Sequence, residues 1–402
     1  MKHFSFTPFI ILVSICFSGA LNYSRAQEQT VESYTFTTAK ELPITLIQNQ
    51  NRTSTCWCFS TLSFLESELL RMGKGSFNLS EMYVVWHTYL SKADKYVRTD
   101  GTINFAPGGA FEDVLYVMQN WGFVPEEVMP GLNYGEEAHV HNEFDAVLRA
   151  YVDALLKTPN GKLSTAWKKG VEGILDAYLG TRPQKFTYQG KEYTPLSFAA
   201  SLGLNPDDYI PLTSYTHHPY YTKFALEIPD NWLWAECYNL PLDEFMSIFD
   251  YAIENGYTIA WGSDVSEIGF TRKGVAVVPE VDITQMSGSD QARWLGLSAA
   301  ARNAELAKIA ENPCTEKVIT PELRQEGYDN KQTTDDHGMH IFGIAHDQNG
   351  KKFYMVKNSW GESSGYKGVW YVSQPFVAYK TMNIMVHKNA IPTAIKQKLN
   401  IK

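Results

Sequence analysis

The hydrophobic period of this chain changes part-way along it, and few folds accommodate that change. In the first half, apolar residues recur every three to four positions. Phe59, Leu62, Leu65, Leu69 and Met72 form one such run, which predicts a helix over residues 55–72 closed by Gly73. Asn78-Leu79-Ser80-Glu81 opens a second helix through residue 89, and residues 112–121, closed by Gly122, form a third. Residues 143–157 and 164–179 read as helices too, and 186–188 with 192–194 as a hairpin around Gln189-Gly190-Lys191. From residue 256 the pattern turns to short β-rich runs at 257–261, 274–278, 341–344, 353–356 and 369–372, with one helix over 290–311 between them. Helices first and strands last imply an α+β fold, a helical lobe facing a sheet lobe across a cleft.

Composition narrows what such a fold can do. The 402 residues are 44% hydrophobic and 20% charged, which excludes a disordered chain, a collagen and a coiled coil. A net charge of −9 argues against a nucleic-acid-coating protein. No internal apolar run is long enough for a membrane span. The N-terminus carries a basic Met1-Lys2-His3, an apolar run from Phe9 to Phe17, and Ser24-Arg25-Ala26 before Gln27. This is the pattern of a secretory signal over residues 1–26, so the mature chain is expected to be exported, periplasmic or secreted. Five cysteines are too few for a disulfide scaffold at this length. Of those beyond the signal, Cys56 and Cys58 are too close to bridge each other, and Cys237 and Cys314 are free to pair or not.

The chemistry begins at Gln50-Asn51-Arg52-Thr53-Ser54-Thr55-Cys56-Trp57-Cys58. Cys56 stands where a helix starts, and unpaired N–H groups and the positive dipole end favour a thiolate there. Gln50, in the preceding loop, can donate its amide to a developing oxyanion beside the Cys56 N–H. Such a nucleophile needs a histidine and an orienting group. His139, His141, His217 and His218 read as surface residues, and His340 and His346 as structural ones. His337 stands where a loop enters a strand, a position that aims an imidazole into a cleft. Asn358 ends the next strand and can accept from that imidazole, with Trp57 and Trp360 as shields against water. Cys58 reads as a core residue, Asp335-Asp336 as solvating a loop, and Asp264 as a supporting residue at most. No metal or other cofactor is required.

Gln50…Cys56-Trp57, His337 and Asn358-Ser359-Trp360-Gly361 resemble the papain superfamily, whose cysteine signature is similar. Leu79-Ser80-Glu81, Pro107-Gly108-Gly109, Trp121-Gly122-Phe123-Val124-Pro125, Thr194-Pro195-Leu196-Ser197-Phe198 and Trp261-Gly262-Ser263-Asp264-Val265 resemble its bleomycin hydrolase / aminopeptidase C branch over roughly residues 45–390. The interval from Cys56 to His337 agrees, being far longer than the roughly 130–150 residues of papain-like enzymes. The resemblance implies a two-lobed papain-like fold, a helical lobe plus an antiparallel β-barrel-like lobe, with helical insertions. In this sequence the peptidase domain would span 27–390: a helical lobe 27–130 with the nucleophile, an insertion 131–235 and a strand-rich lobe 236–390, followed by a tail 391–402. It implies a thiol aminopeptidase acting on peptides through an acyl-enzyme, with Cys56 as nucleophile, His337 as acid–base, Asn358 as orienter and Gln50 at the oxyanion. Gly108 and Gly109 would form a backbone edge for substrate, because only glycine lets a peptide approach so closely. Family members assemble as homohexamers and restrict cleavage with a C-terminal tail.

Three departures qualify that expectation. The tail looks short, which leaves a broad papain-like endopeptidase as the alternative. Export is unusual for the branch. Cys58 is an extra thiol two residues after the nucleophile, in a stretch that otherwise matches, as His337-Gly338-Met339 matches the family's usual His-Ala-Met. A non-catalytic binding protein is a more distant reading, disfavoured because all four catalytic positions are filled.

Overall fold

The computed structural model describes residues 33–158 and 161–402, and the signal expected over residues 1–26 lies outside them. The helical first half is present. Cys56–Arg71, Glu81–Arg98 and Phe111–Asn120 form its centre, and Asn142–Leu156 and Trp167–Leu179 pack on the second of these. Their apolar faces build one core from Trp57, Leu62, Leu65, Val85, Trp86, Val114, Phe144 and Leu175. The second helix runs nine residues past its expected end at 89, because Ala93 and Tyr96 continue the buried face. Its start is fixed by Ser80, whose hydroxyl accepts from the Tyr83 N–H at 3.0 Å. Phe186–Tyr188 and Lys191–Tyr193 pair as the expected hairpin. Gln189 and Gly190 both take positive φ, 49° and 77°, the turn geometry that matches the twist of a two-residue hairpin.

The sheet lobe is larger than its sequence suggests. Ten strands form one sheet, and its central members are Thr381–His387, Ile259–Ser263, His337–Asp347, Lys352–Lys357 and Val369–Ser373. Neighbouring pairs are mostly antiparallel, as expected, with two parallel exceptions at the flanks: Tyr209–Thr213 with Glu236–Asn239, and Val275–Ala276 with Val369–Ser373. The strand Thr381–His387 is buried at every position, so the alternation that betrays a strand is missing from its sequence. Helix Leu242–Glu254 covers one face with Phe245, Ile248, Phe249 and Ile253 and seals the second core, which includes Trp261, Ile341 and Trp370. Trp261 and Trp370 are fully enclosed, and each Nε1–H has an acceptor, Thr381 Oγ1 at 2.7 Å and the Thr271 carbonyl at 3.1 Å.

The single helix expected over 290–311 is two, Gly288–Gly296 and Ala299–Ala310. Ser298 interrupts the run by capping the second, its hydroxyl accepting from the Ala301 N–H. Cys237 and Cys314 do not pair. They belong to separate apolar clusters, and all four described cysteines are free thiols. Among the described residues, no helix is long and apolar enough to cross a membrane.

The two lobes meet where His337–Asp347 lies against Cys56–Arg71. The approach is closest at Gly338. A Cβ there would stand 2.6 Å from Ser60 Oγ, 3.2 Å from Trp57 Cα and 3.3 Å from the Cys56 carbonyl oxygen. The nearest obstacle is a side chain and the next two are backbone. Gly338→Ala is therefore expected to lower the unfolding free energy by about 1–3 kcal/mol in chemical denaturation. Adding Ser60→Ala should recover most of that loss.

Candidate active site

Cys56 is the first residue of its helix, and Thr55 makes no side-chain cap to it. The Thr55 hydroxyl is engaged instead by Thr53 at 2.6 Å, and the Cys58 N–H is taken up by the Thr55 carbonyl at 2.9 Å, which leaves the N–H groups of Cys56 and Trp57 at the helix end. The loop before it is bent by two non-glycine residues with positive φ, Asn51 at 49° and Ser54 at 52°. That bend zips Gln50 onto the segment after Asn358. The Gln50 N–H donates to the Ser359 carbonyl at 2.8 Å and the Gly361 N–H to the Gln48 carbonyl at 3.0 Å. Ser359 Oγ donates to Gln50 Oε1 at 2.6 Å, so the oxygen end of the amide is held by protein. Its NH2 end has no partner among the described residues, and Gln50 lines the cleft.

His337 opens the long strand, opposite Ser263, and is only 5% exposed. Its Nε2 lies 2.7 Å from Asn358 Oδ1. The same oxygen accepts the Ser359 N–H at 2.7 Å, so it is the acceptor end of the amide. His337 Nε2 must then carry the proton, and Nδ1 is left with the lone pair. Trp360 stacks on the imidazole, with centroids 4.6 Å apart and planes 25° apart, and is itself wedged against Trp370. Trp360 is thus a lid over the ring. Trp57 is placed differently: its Nε1 donates to the Pro107 carbonyl at 3.1 Å, which braces the glycine segment of the opposite wall.

One cleft of about 450 Å³ is lined by Gln50, Cys56, Trp57, Gly108, Gly109, His337 and Trp360, so the sequence-derived site residues are brought together apart from Asn358, which stands behind His337. Gly108 and Gly109 line it, but the space their Cβ atoms would need is filled by protein. At Gly108 it holds the Asp230 carboxylate, and at Gly109 the Trp57 ring and Asp113. Internal packing therefore favours glycine at both positions, most firmly at Gly109 beside the Trp57 ring. Lys92 draws the carbonyls of Ala106 and Gly108 inward from behind.

Three acidic residues in the cleft were not legible as site residues. Asp230, Asp335 and Asp336 all line it. Asp335 does more than solvate a loop: burial, then the charges of Asp230, Asp336 and Glu112, raise its carboxyl to about 8. Burial works to raise Asp336 also, but hydrogen bonds from Asp264, Thr334 and Ser266 outweigh it and hold that group below the usual carboxylate range. Asp264 is 1% exposed, accepts from the N–H groups of Ser266 and Thr334, and so ties down the turn that delivers His337. Burial pushes the Cys56 thiol up to about 12, with Asp335 and Asp230 adding to it, while the N–H groups of Gly338 and Trp57 pull it back. Burial lowers His337 to about 4, against the opposing effects of Asn358 and Asp336. Each group separately resists its charged form, and each charge would be the best partner for the other.

The remaining histidines divide. His340 is buried and its Nδ1 meets Ser63 Oγ at 2.9 Å, a structural role as expected. His141 is fully buried, contrary to its surface reading, because Tyr134, His139 and Phe144 close round it. Cys58 is buried with its thiol toward the Glu81 carbonyl.

The Peptidase C1-like family matches residues 10–294 and 320–402. The chain is 23% identical to aminopeptidase E of Lactobacillus helveticus, covering 89% of this chain and 84% of that one. It is 22% identical to aminopeptidase C of Streptococcus thermophilus, with coverage of 94% and 87%. It is 21% identical to the mitochondrial cysteine proteinase 1 of Saccharomyces cerevisiae, with coverage of 94% and 81%. Among solved structures, PepW from Lactobacillus rhamnosis superposes with a TM-score of 0.67 at 21% identity over 90% of this chain and 84% of that one, which establishes the shared fold.

Two outcomes follow from this geometry. Ser359→Ala should release the Gln50 amide and lower kcat several-fold while leaving KM and the thermal midpoint nearly unchanged. Asp335→Asn should stabilise the protein at pH 9 and leave its stability at pH 4 unaltered. A carboxyl raised in the folded state costs nothing below its unfolded pKa of about 3.9, and its cost grows up to about pH 8. Thermal unfolding at the two pH values checks the sign.

Proposed function

The chain belongs to the Peptidase C1-like family and is a cysteine peptidase, and we propose that it removes N-terminal residues from peptides through Cys56, His337 and Asn358. The observation that carries this reading is the bare Nδ1 of His337, set by Asn358 Oδ1, in the same cleft as a thiol at a helix start. Nδ1 takes the Cys56 proton, and the sulfur attacks the carbonyl carbon of the scissile bond. The developing oxyanion is met by the Cys56 N–H and the free NH2 end of Gln50. The imidazolium then gives its proton to the leaving amine, and a thioester remains on Cys56. His337 next draws a proton from water as the hydroxyl adds to the thioester. Collapse expels the thiol and frees the carboxylic acid.

The acidic cleft supports an exopeptidase. Asp335 and Asp230 lie close enough to oppose charge on the Cys56 sulfur, so a cation bound between them would relieve that opposition. The α-ammonium of a peptide is such a cation, carried by the same residue as the scissile carbonyl. One observation favours the endopeptidase alternative: the C-terminal helix Thr393–Leu399 contributes no residue to the cleft lining.

Hydrolysis of a free-amine aminoacyl fluorophore and of an N-acetylated dipeptide counterpart decides between them. Thiol-inhibitor-sensitive cleavage of the free amine alone is expected, and cleavage of both would replace the proposal with the endopeptidase. Cys56→Ala and His337→Ala are each expected to abolish turnover with the fold intact. Gln50→Ala should lose roughly 10²–10³ in kcat. Asp335→Asn should raise KM for the free-amine substrate roughly tenfold, with kcat little changed.

A further inference from the structure

Away from the catalytic residues, His217, His218 and Glu227 bring their side chains together, with all three candidate donor atoms within 4.8 Å of one another. His217 Nε2 is 3.0 Å from Glu227 Oε2 and His218 Nε2 is 2.9 Å from Glu227 Oε1. We propose that these three residues form a binding site for a divalent transition metal of the zinc type, which ties the loop after Tyr209–Thr213 to the segment that forms one wall of the cleft.

The hydrogen bonds around His217 fix which nitrogen is available. Its Nδ1 lies 3.2 Å from Gln325 Oε1. The orientation of that amide is settled on both sides: its oxygen accepts the Thr216 N–H at 2.6 Å and the His217 N–H at 3.3 Å, and its nitrogen donates to Asp329 Oδ1 at 2.9 Å. His217 Nδ1 is therefore a donor, and Nε2 faces a carboxylate oxygen at hydrogen-bond distance. That separation is bridged by a proton when the imidazole is charged, and a metal ion that displaces the proton would find the nitrogen and the oxygen already facing each other. A histidine whose far nitrogen is held by an amide oxygen has the arrangement that orients metal-bound imidazoles.

The rings are also held in place. His218 stacks on Phe224 with centroids 4.1 Å apart, and His217 on Tyr328 at 5.5 Å. Asn239 Nδ2 donates to the His218 carbonyl at 2.9 Å, and Tyr328 Oη to the Glu227 carbonyl at 2.8 Å, so the backbone of both loops is positioned before any ion arrives. Two imidazoles and one carboxylate suit zinc and its neighbours, at about 2.0–2.2 Å, better than calcium or magnesium, which take oxygen ligands. The side chains are 27%, 33% and 55% exposed, which leaves a fourth coordination position open to water. Ile228 and Asp230, in the same segment as Glu227, line the cleft, so an ion here would stiffen that wall without touching the reacting atoms.

The test uses the full chain carrying Cys56→Ala, so that the reactive thiol cannot take the metal. Zn²⁺ is titrated in competition with a chromophoric chelator, with Ca²⁺ as the contrasting ion. One Zn²⁺ per chain at micromolar affinity or tighter is expected, with no competition from Ca²⁺. His218→Asn and Glu227→Gln should each weaken it at least tenfold, and the exposure of both side chains makes loss of the fold a poor explanation. Zn²⁺ should also raise the thermal midpoint and slow amide hydrogen exchange across residues 226–232, and His218→Asn should abolish both effects. Failure to bind, or binding that survives both substitutions, overturns the site. Binding that leaves exchange in 226–232 unchanged overturns the tie to the cleft wall.

Discussion

The geometry of the candidate site depends on the contact between the strand His337–Asp347 and the helix Cys56–Arg71. Cys56 and His337 are far apart in sequence, and their near neighbours Trp57 and Met339 belong to different cores. Their placement in one cleft follows from how near the strand can come to the helix, and that is limited by whatever stands at position 338. With no Cβ there, the strand backbone comes within hydrogen-bonding reach of the Cys56 sulfur through the Gly338 N–H. A side chain would push the imidazole away from the thiol by the same amount that it pushed the strand from the helix.

Behind that contact, polar groups link the lobes. Glu66 on the helix accepts from Thr45 Oγ1 at 2.6 Å and from the Leu79 N–H at 2.9 Å, and Lys357 on the neighbouring strand donates to Thr45 Oγ1 at 3.0 Å. Burial lowers the Lys357 ammonium to about 8, against the attraction of Glu66 and Glu81. Ser63 and His340 make a second link at 2.9 Å. Buried polar partners of this kind tolerate little sliding, because a misplaced pair loses its hydrogen bonds and keeps its desolvation cost. Register between the lobes is held by these groups, while the two apolar cores supply most of the cohesion.

The cleft is electrostatically divided. One side holds the helix start and the N–H groups that favour negative sulfur, and the other holds Asp335 and Asp230, which oppose it, while Asp336 favours the charged imidazole. In a free cleft burial of both groups, with Asp335 and Asp230 adding to it at the sulfur, keeps thiol and imidazole neutral. A bound cation would answer the carboxylates and let the proton move. Substrate charge and nucleophile activation would then be linked, and the carboxylates that disfavour the resting thiolate would select for a free amino terminus.

The sequence by itself determined the local pieces. The three-to-four spacing from Phe59 to Met72 determined the helix that begins at Cys56, and Gln189-Gly190 determined the hairpin turn, because both depend only on neighbours along the chain. Cys56, His337, Asn358 and Gln50 were legible as a set because each residue type has a specific chemical use. Other features depended on what lies across the fold. Thr381–His387 showed no strand alternation because both its faces are covered. His141 read as a surface residue because the rings that close round it, Tyr134, His139 and Phe144, follow no regular apolar spacing although they are near in sequence. Asp335 read as a solvated loop residue because its neighbours Asp230 and Glu112 are remote in sequence. Gly108 and Gly109 were legible as a cleft edge, but not that Asp230 and Trp57 fill the space beside them. Local chemistry is written in the order of residues, whereas burial and charge are sums over everything nearby, and only the tertiary structure decides what is nearby.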